Sequence, residues 1–323
     1  MSKQYSVGII CAYFGQLPGC YQTWLHSCEY NRTVDFFLVT DQHTKNTPTN
    51  VHVINMSFQE LKNIVVSKFG ESISLEQPYK LCDFKPMYGV IFQKYLNGFD
   101  YWGHCDMDLV FGDLQHFFEY YHLEKFDKFL NLGHLSLYRN TEENNYRFEM
   151  DGSDCGSWKK VLADREGYAF DEVDGIYQIY LKHGYPQFDK RIFADISCIY
   201  KRFRCAKKDI NYENQIFYWE NGHVYRDYWE KGKKHTEEFI YIHFKQRRFE
   251  IPKFNVKNVN AFFIVPSGFI EKHHSSTLND VFQLNCYKGQ IYEKMELNRY
   301  RRKQLFSKVQ RGYKTMLKGR RMA

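Results

Sequence analysis

Four nearly continuous apolar runs, all before residue 107, constrain the fold more than any other feature of this chain. They are Val7 to Phe14, Val34 to Asp41, Val51 to Met56 and Phe99 to Asp106. Residues that are apolar at consecutive positions belong to strands buried on both faces. Between these runs, Gln22 to Tyr30 and Phe58 to Phe69 read as helices, the second with apolar residues at 58, 61, 64, 65 and 69. After a break at Pro78, Phe84 to Leu96 reads as a further helix that tolerates Pro86 in its first turn. Strands alternating with helices predict an α/β chain whose mostly parallel sheet is flanked by helices.

Beyond residue 112 the pattern loosens. Lys128 to Tyr138 reads as one strand, Trp158 to Ala163 as a short helix, and Asp171 to His183 as a longer one. Asn221-Gly222 interrupts the aromatic-rich stretch Ile210 to Tyr228 and signals a hairpin. Phe239 to Phe244 reads as the last strand, before a Pro-punctuated loop over 252–268.

Charge is distributed unevenly. The net charge of +7 is outweighed by ten Lys and Arg in residues 299–323, a stretch with no Asp or Glu, so the rest of the chain stands at −3. That balance argues against nucleic acid as a partner. In the same stretch Leu305, Phe306, Val309, Tyr313, Met316 and Leu317 recur at helical spacing, which predicts a basic amphipathic helix suited to an anionic membrane surface. A solvated or core-packed terminal helix has the same pattern.

The nine cysteines are odd in number and never spaced Cys-x-x-Cys, against both a disulfide framework and a structural zinc site. The first apolar run meets a turn at Gly15 to Gly19, and no stretch reaches the ~20 apolar residues a spanning helix needs. A cytoplasmic protein, peripheral at the inner face of the membrane, is the expectation.

In such sheets ligands bind at the carboxyl ends of the strands. There stand Thr40-Asp41, Asp106-Met107-Asp108, and His243 with Lys245 beyond it. An Asp-x-Asp in extended chain puts both carboxylates on one side, where they can hold a hard divalent cation. The motif is also common in solvated turns. Here its apolar flanks favour the cation, because two carboxylates there would be costly to bury alone. Lys245, Arg247 and Arg248 could neutralise a phosphate beside His243.

The segment Pro78-Tyr79-Lys80-Leu81-Cys82-Asp83-Phe84-Lys85-Pro86 precedes Tyr101-Trp102-Gly103-His104-Cys105-Asp106-Met107-Asp108-Leu109-Val110-Phe111-Gly112-Asp113. Gly133 to Asn140, Phe170-Asp171-Glu172 and Ile242-His243-Phe244-Lys245 follow in order. As an ordered set these resemble bacterial GT-A fold glycosyltransferases, a Rossmann-like fold, of the capsular or cell-surface polysaccharide group long known only as a domain of unknown function. The resemblance implies a GT-A domain over 1–265 and a C-terminal extension with the basic helix over 266–323.

It further implies a nucleotide-sugar donor, with a UDP-sugar favoured, and a glycan, lipid-linked or glycoprotein acceptor. Asp106, Asp108 and His243 would hold Mn²⁺ or Mg²⁺. Tyr13, Phe14, Thr40 and Asp41 would cradle the base and ribose. Lys85 would reach the donor and Lys245 the leaving diphosphate, with Asp106 touching ribose or metal. Asp83 reads as a helix N-cap, and His134 and Asn140 as acceptor-side residues or structural ones. Asp171 and Glu172 are the candidate catalytic base of an inverting enzyme, or else the cap and dipole partner of the helix they open; a retaining enzyme needs neither. A metal-dependent phosphodiesterase using the same carboxylates and a non-catalytic carbohydrate or nucleic-acid binding module are the competing classes.

Overall fold

A computed structural model describes residues 5–245, 247–285 and 291–303. The predicted strands come first: β1 (Val7–Ala12), β2 (Val34–Thr40), β3 (Val51–Asn55) and β4 (Tyr101–Cys105). All pair in parallel, in the order β3-β2-β1-β4. β5 (Leu109–Phe111) then leaves this sheet, which is completed by β6 (Lys128–Leu132), β7 (Leu135–Arg139) and β8 (Gln187–Phe188). The full order is β3-β2-β1-β4-β7-β6-β8, with β7 antiparallel to both neighbours, so the α/β sheet is mostly parallel but mixed.

The period of two explains the continuous apolar runs. Ile9, Cys11, Phe36, Leu38 and Tyr101 point into one core, where Trp24 of helix α1 (Tyr21–Tyr30) packs. Ile10, Phe37, Val39 and Trp102 point into the other, beneath Leu61 and Val65 of helix α2 (Phe58–Phe69), so both alternating sets must be apolar. Ser57 and Glu60 start α2 with a capping box.

Farther on come β9 (Ala194–Asp195), β10 (Asn214–Glu220), β11 (His223–Glu230), β12 (Lys233–Phe239), β13 (Tyr241–His243), β14 (Ala261–Val265) and β15 (Gly268–Glu271). β12-β11-β10-β14-β15 form an antiparallel sheet, and β5-β13-β9 a small third one. The hairpin turn at Asn221-Gly222 is present, both residues having positive φ.

Several expectations are corrected. Lys128 to Tyr138 is a hairpin, not one strand, because the chain reverses at Gly133-His134. Phe84 to Leu96 is no continuous helix: Pro78 and Pro86 favour a 3₁₀ stretch, Pro78–Met87, followed by short α segments Tyr88–Ile91 and Gln93–Leu96. The helix expected from Asp171 starts later, at Ile176, with Gly175 at its N-cap. Part of the loop over 252–268 is β14, an apolar strand set between Pro252 and Pro266.

A boundary at 265/266 falls between β14 and β15, which pair with each other. Residues 291–303 are helical. The remainder of the amphipathic segment, 304–323, lies outside the described residues. The eight described cysteines are all free. No described helix is long and apolar enough to cross a membrane.

Candidate active site

The Asp-x-Asp forms the bridge between two sheets. β4 ends at Cys105 in the central sheet and β5 begins at Leu109 in the small one. In the bend between the two strands Met107 is buried in the core, while Asp106 and Asp108 on either side of it are only half-buried. Two backbone bonds pin the bridge: Asp106 N–H donates to the His134 carbonyl at 3.0 Å, and Phe244 N–H to the Asp108 carbonyl at 2.9 Å.

The second bond draws in β13, whose last residue is His243. Antiparallel pairing sets His243 opposite Leu109, and Nε2 lies 3.5 Å from Asp108 Oδ1. One ligand atom from each of Asp106, Asp108 and His243 falls within 4.8 Å of the others. On its other side, His243 Nδ1 stands 2.9 Å from Asp195 Oδ1. Burial by itself would lower the imidazole's pKa, but hydrogen bonds to Asp108 and Asp195 raise it to about 10. The field at this point favours positive charge.

Lys85 ties the other half together. Its ammonium donates to Asp106 Oδ1 at 2.6 Å and to the Gly133 carbonyl at 2.8 Å, and pairs with Asp171 Oδ2 at 3.1 Å. These partners match its three protons, so Lys85, expected to reach a donor, is committed within the protein. Asp171 is 2% exposed, and burial raises its pKa to about 7. It lies so close to Gly133 that a Cβ there would come within 2.1 Å of Oδ2, which explains the glycine at this turn. Glu172 is less buried, and burial raises its pKa too.

Asp83 is no N-cap. Fully buried, it accepts from Lys80 Nζ at 2.7 Å and from the backbone N–H groups of Tyr168 and Phe170, at 3.1 and 2.9 Å. The 3₁₀ stretch thus clamps the 168–171 loop through Asp83 and receives Asp171 through Lys85.

The ends of β1 and β2 lie on the same side of the sheet as this cluster, as the parallel pairing of β1 with β4 and of β2 with β1 requires. Tyr13 N–H continues the pairing to the Val39 carbonyl, and Gly15 N–H donates to Asp41 Oδ1 at 3.0 Å. Phe14 packs edge-on against Phe58, and Thr40 is buried with its hydroxyl accepting from Gln42 N–H. Lys245 is half-exposed, 3.8 Å from Asp195 Oδ2. Arg247 turns away and donates to the carbonyls of Ser197, Lys201 and Arg202.

Residues 9–273 match the family described as Family of unknown function (DUF6625). The chain belongs to that family. No curated protein matches this DUF6625 member. Among solved structures, it is similar to the galactosyltransferase LgtC in complex with donor and acceptor sugar analogs, at 9% identity and TM-score 0.37, over 58% of this chain and 75% of that one. It is also similar to mouse xyloside xylosyltransferase 1, at 9% identity and TM-score 0.39, over 59% and 87%.

One neighbour of the cluster escapes a sequence reading. Asp195 lies on a two-residue strand, too short to register as periodicity. His134 lies against His243, ring centroids 4.2 Å apart, with its Nδ1 bonded to the Tyr241 hydroxyl, so it is a buried support and not an acceptor-side residue. Asn140 stands at the opposite end of β4, bonded to the Leu96 and Phe99 carbonyls.

Proposed function

We propose that this chain is a GT-A glycosyltransferase that moves a sugar from a nucleotide-sugar donor, a UDP-sugar by preference, to a polysaccharide, lipid-linked or glycoprotein acceptor. The observation that carries the reading is the convergence of Asp106, Asp108 and His243 beside the carboxyl ends of β1, β2 and β4. Two carboxylates and an imidazole fit Mn²⁺ or Mg²⁺ and leave coordination positions for phosphate oxygens. Bound there, the cation would stabilise the nucleoside diphosphate as it leaves the anomeric carbon.

The protein groups orient and neutralise. Lys85 holds Asp106 in place from below. Lys245, half-exposed beside the cluster, supplies positive charge to the departing diphosphate. Tyr13, Phe14, Thr40 and Asp41, at the ends of β1 and β2, receive the base and ribose. In an inverting reaction Glu172 is the base that takes the acceptor hydroxyl's proton, and its raised pKa is the direction that role needs. Asp171, buried against Lys85 and Gly133, acts through Lys85 as a positioning residue.

We place the enzyme at the inner face of the membrane. In support, Glu293 fastens the 291–303 helix to Arg202 and Arg204, while Ile291 and Met295 face solvent and Arg299, Arg301, Arg302 and Lys303 follow.

The test is incubation with a panel of nucleotide sugars and Mn²⁺. Release of the nucleoside diphosphate, abolished by EDTA and by Asp108→Ala, is expected. Release of nucleoside monophosphate and sugar phosphate would point to a phosphodiesterase that hydrolyses the diphosphate linkage, and turnover unchanged in EDTA would refute the metal mechanism.

A further inference from the structure

We infer that Asp195 is a positioning residue: its carboxylate fixes the His243 ring so that Nε2, and not Nδ1, is presented to Asp106 and Asp108. The inference rests on the cation site proposed above. Asp195 is 6% exposed, and parallel pairing of β9 with β13 sets it directly opposite His243. The 2.9 Å contact commits Nδ1 as donor to Oδ1, which leaves Nε2, 3.5 Å from Asp108 Oδ1, as the nitrogen that would take a cation in place of its proton. The backbone is fixed on both strands: Ile196 N–H donates to the His243 carbonyl at 2.9 Å, and Ala206 N–H to the Asp195 carbonyl at 2.7 Å.

One face of the His243 ring is closed as well. His134 stacks on it at an interplanar angle of 19°, and Tyr241, whose hydroxyl holds His134, is itself stacked on Phe193. The ring can neither tip away nor turn over without breaking the Asp195 bond inside a packed wall. His134, Asp195 and His243 also offer ligand atoms within 4.8 Å of one another. Because Nδ1 is already hydrogen-bonded to Asp195, this buried trio serves as the support of the more accessible cluster of Asp106, Asp108 and His243. A carboxylate behind a ligating histidine fixes its tautomer and raises its basicity, and losing it weakens metal binding by about 10–100-fold.

The test titrates Mn²⁺ alone into the full chain, following free Mn²⁺ by paramagnetic resonance and heat by calorimetry. Asp195→Ala should weaken Mn²⁺ binding by about 10–100-fold. Asp195→Asn, whose amide oxygen can still accept from Nδ1–H, should lose less. In a His243→Ala background, Asp195→Asn should change the affinity no further, since its effect runs through the ring. Should Asp195→Ala fail to fold, Asp195→Asn and the double variant decide. Wild-type Mn²⁺ affinity in Asp195→Asn and Asp195→Ala, with only a lower melting temperature, overturns the inference while Asp108→Ala still abolishes binding. Mn²⁺ affinity unaffected by Asp108→Ala overturns the cation site and the inference together.

Discussion

Replacing Lys85 with Met tests how the candidate site is held together. Lys85 is 9% exposed, and its removal strips partners from three acceptors at once. Asp106 has a third of its side chain in solvent and can rehydrate, so its loss counts for little. The buried Gly133 carbonyl cannot, and an orphaned buried acceptor costs about 1–3 kcal/mol. Asp171 is the largest contributor, since breaking a buried pair by removing one partner costs about 3–5 kcal/mol.

The sign of the pH dependence follows from Asp171. Its folded pKa, raised to about 7, lies above the roughly 3.9 of an unfolded Asp. The stability it contributes is therefore present in acid and is lost as pH rises to about 7. Without Lys85 the folded pKa rises further, and the variant keeps losing stability above pH 7 where the wild type has levelled. Urea unfolding should show a Lys85→Met deficit of about 4–8 kcal/mol at pH 8, from the carbonyl and the unpaired carboxylate together, narrowing at pH 5 to the carbonyl's share of about 1–3 kcal/mol. Adding Asp171→Asn should recover part of the loss at pH 8, because no buried charge then remains unpaired. A deficit below about 1 kcal/mol, or one of equal size at both pH values, would refute the arrangement.

Further perturbations probe its other parts. Gly133→Ala forces a Cβ against Asp171 and should cost about 1–3 kcal/mol in thermal unfolding; an unchanged melting temperature would mean that the turn and the carboxylate are not packed together. Asp83→Ala strips the acceptor from Lys80 and from the 168–170 backbone, and trypsin should then cut at Arg165 more readily than in the wild type. Deleting residues 299–323 should weaken binding to anionic vesicles and leave donor hydrolysis intact; loss of both would show that the segment supports the fold.

Where burial dictated composition, the sequence was readable. β1 to β4 are apolar at nearly every position because two cores claim alternate residues. Trp158–Ala163 and the Asn221-Gly222 hairpin also carry local signals strong enough to place them. β12 carries no such signal: Lys233, Lys234, His235 and Thr236 are exposed on an edge strand, where charge guards against further pairing. The Asp-x-Asp and His243 stand out as polar residues ending apolar runs. Lys85 and Asp83 were visible as a motif, but their partners, 171 and 168–170, are more than eighty residues away, and only tertiary folding reveals a clamp. Asp195 had neither periodicity nor motif.

The proposed cation-dependent diphosphate site at Asp106, Asp108 and His243 is tested by calorimetric titration of UDP into the chain with Mn²⁺ or EDTA. Binding should require Mn²⁺, and Asp108→Asn should weaken it by more than about tenfold, or 1.4 kcal/mol, while leaving the melting temperature of the unliganded chain near that of the wild type. UDP bound equally well in EDTA, or undiminished by Asp108→Asn, would contradict it.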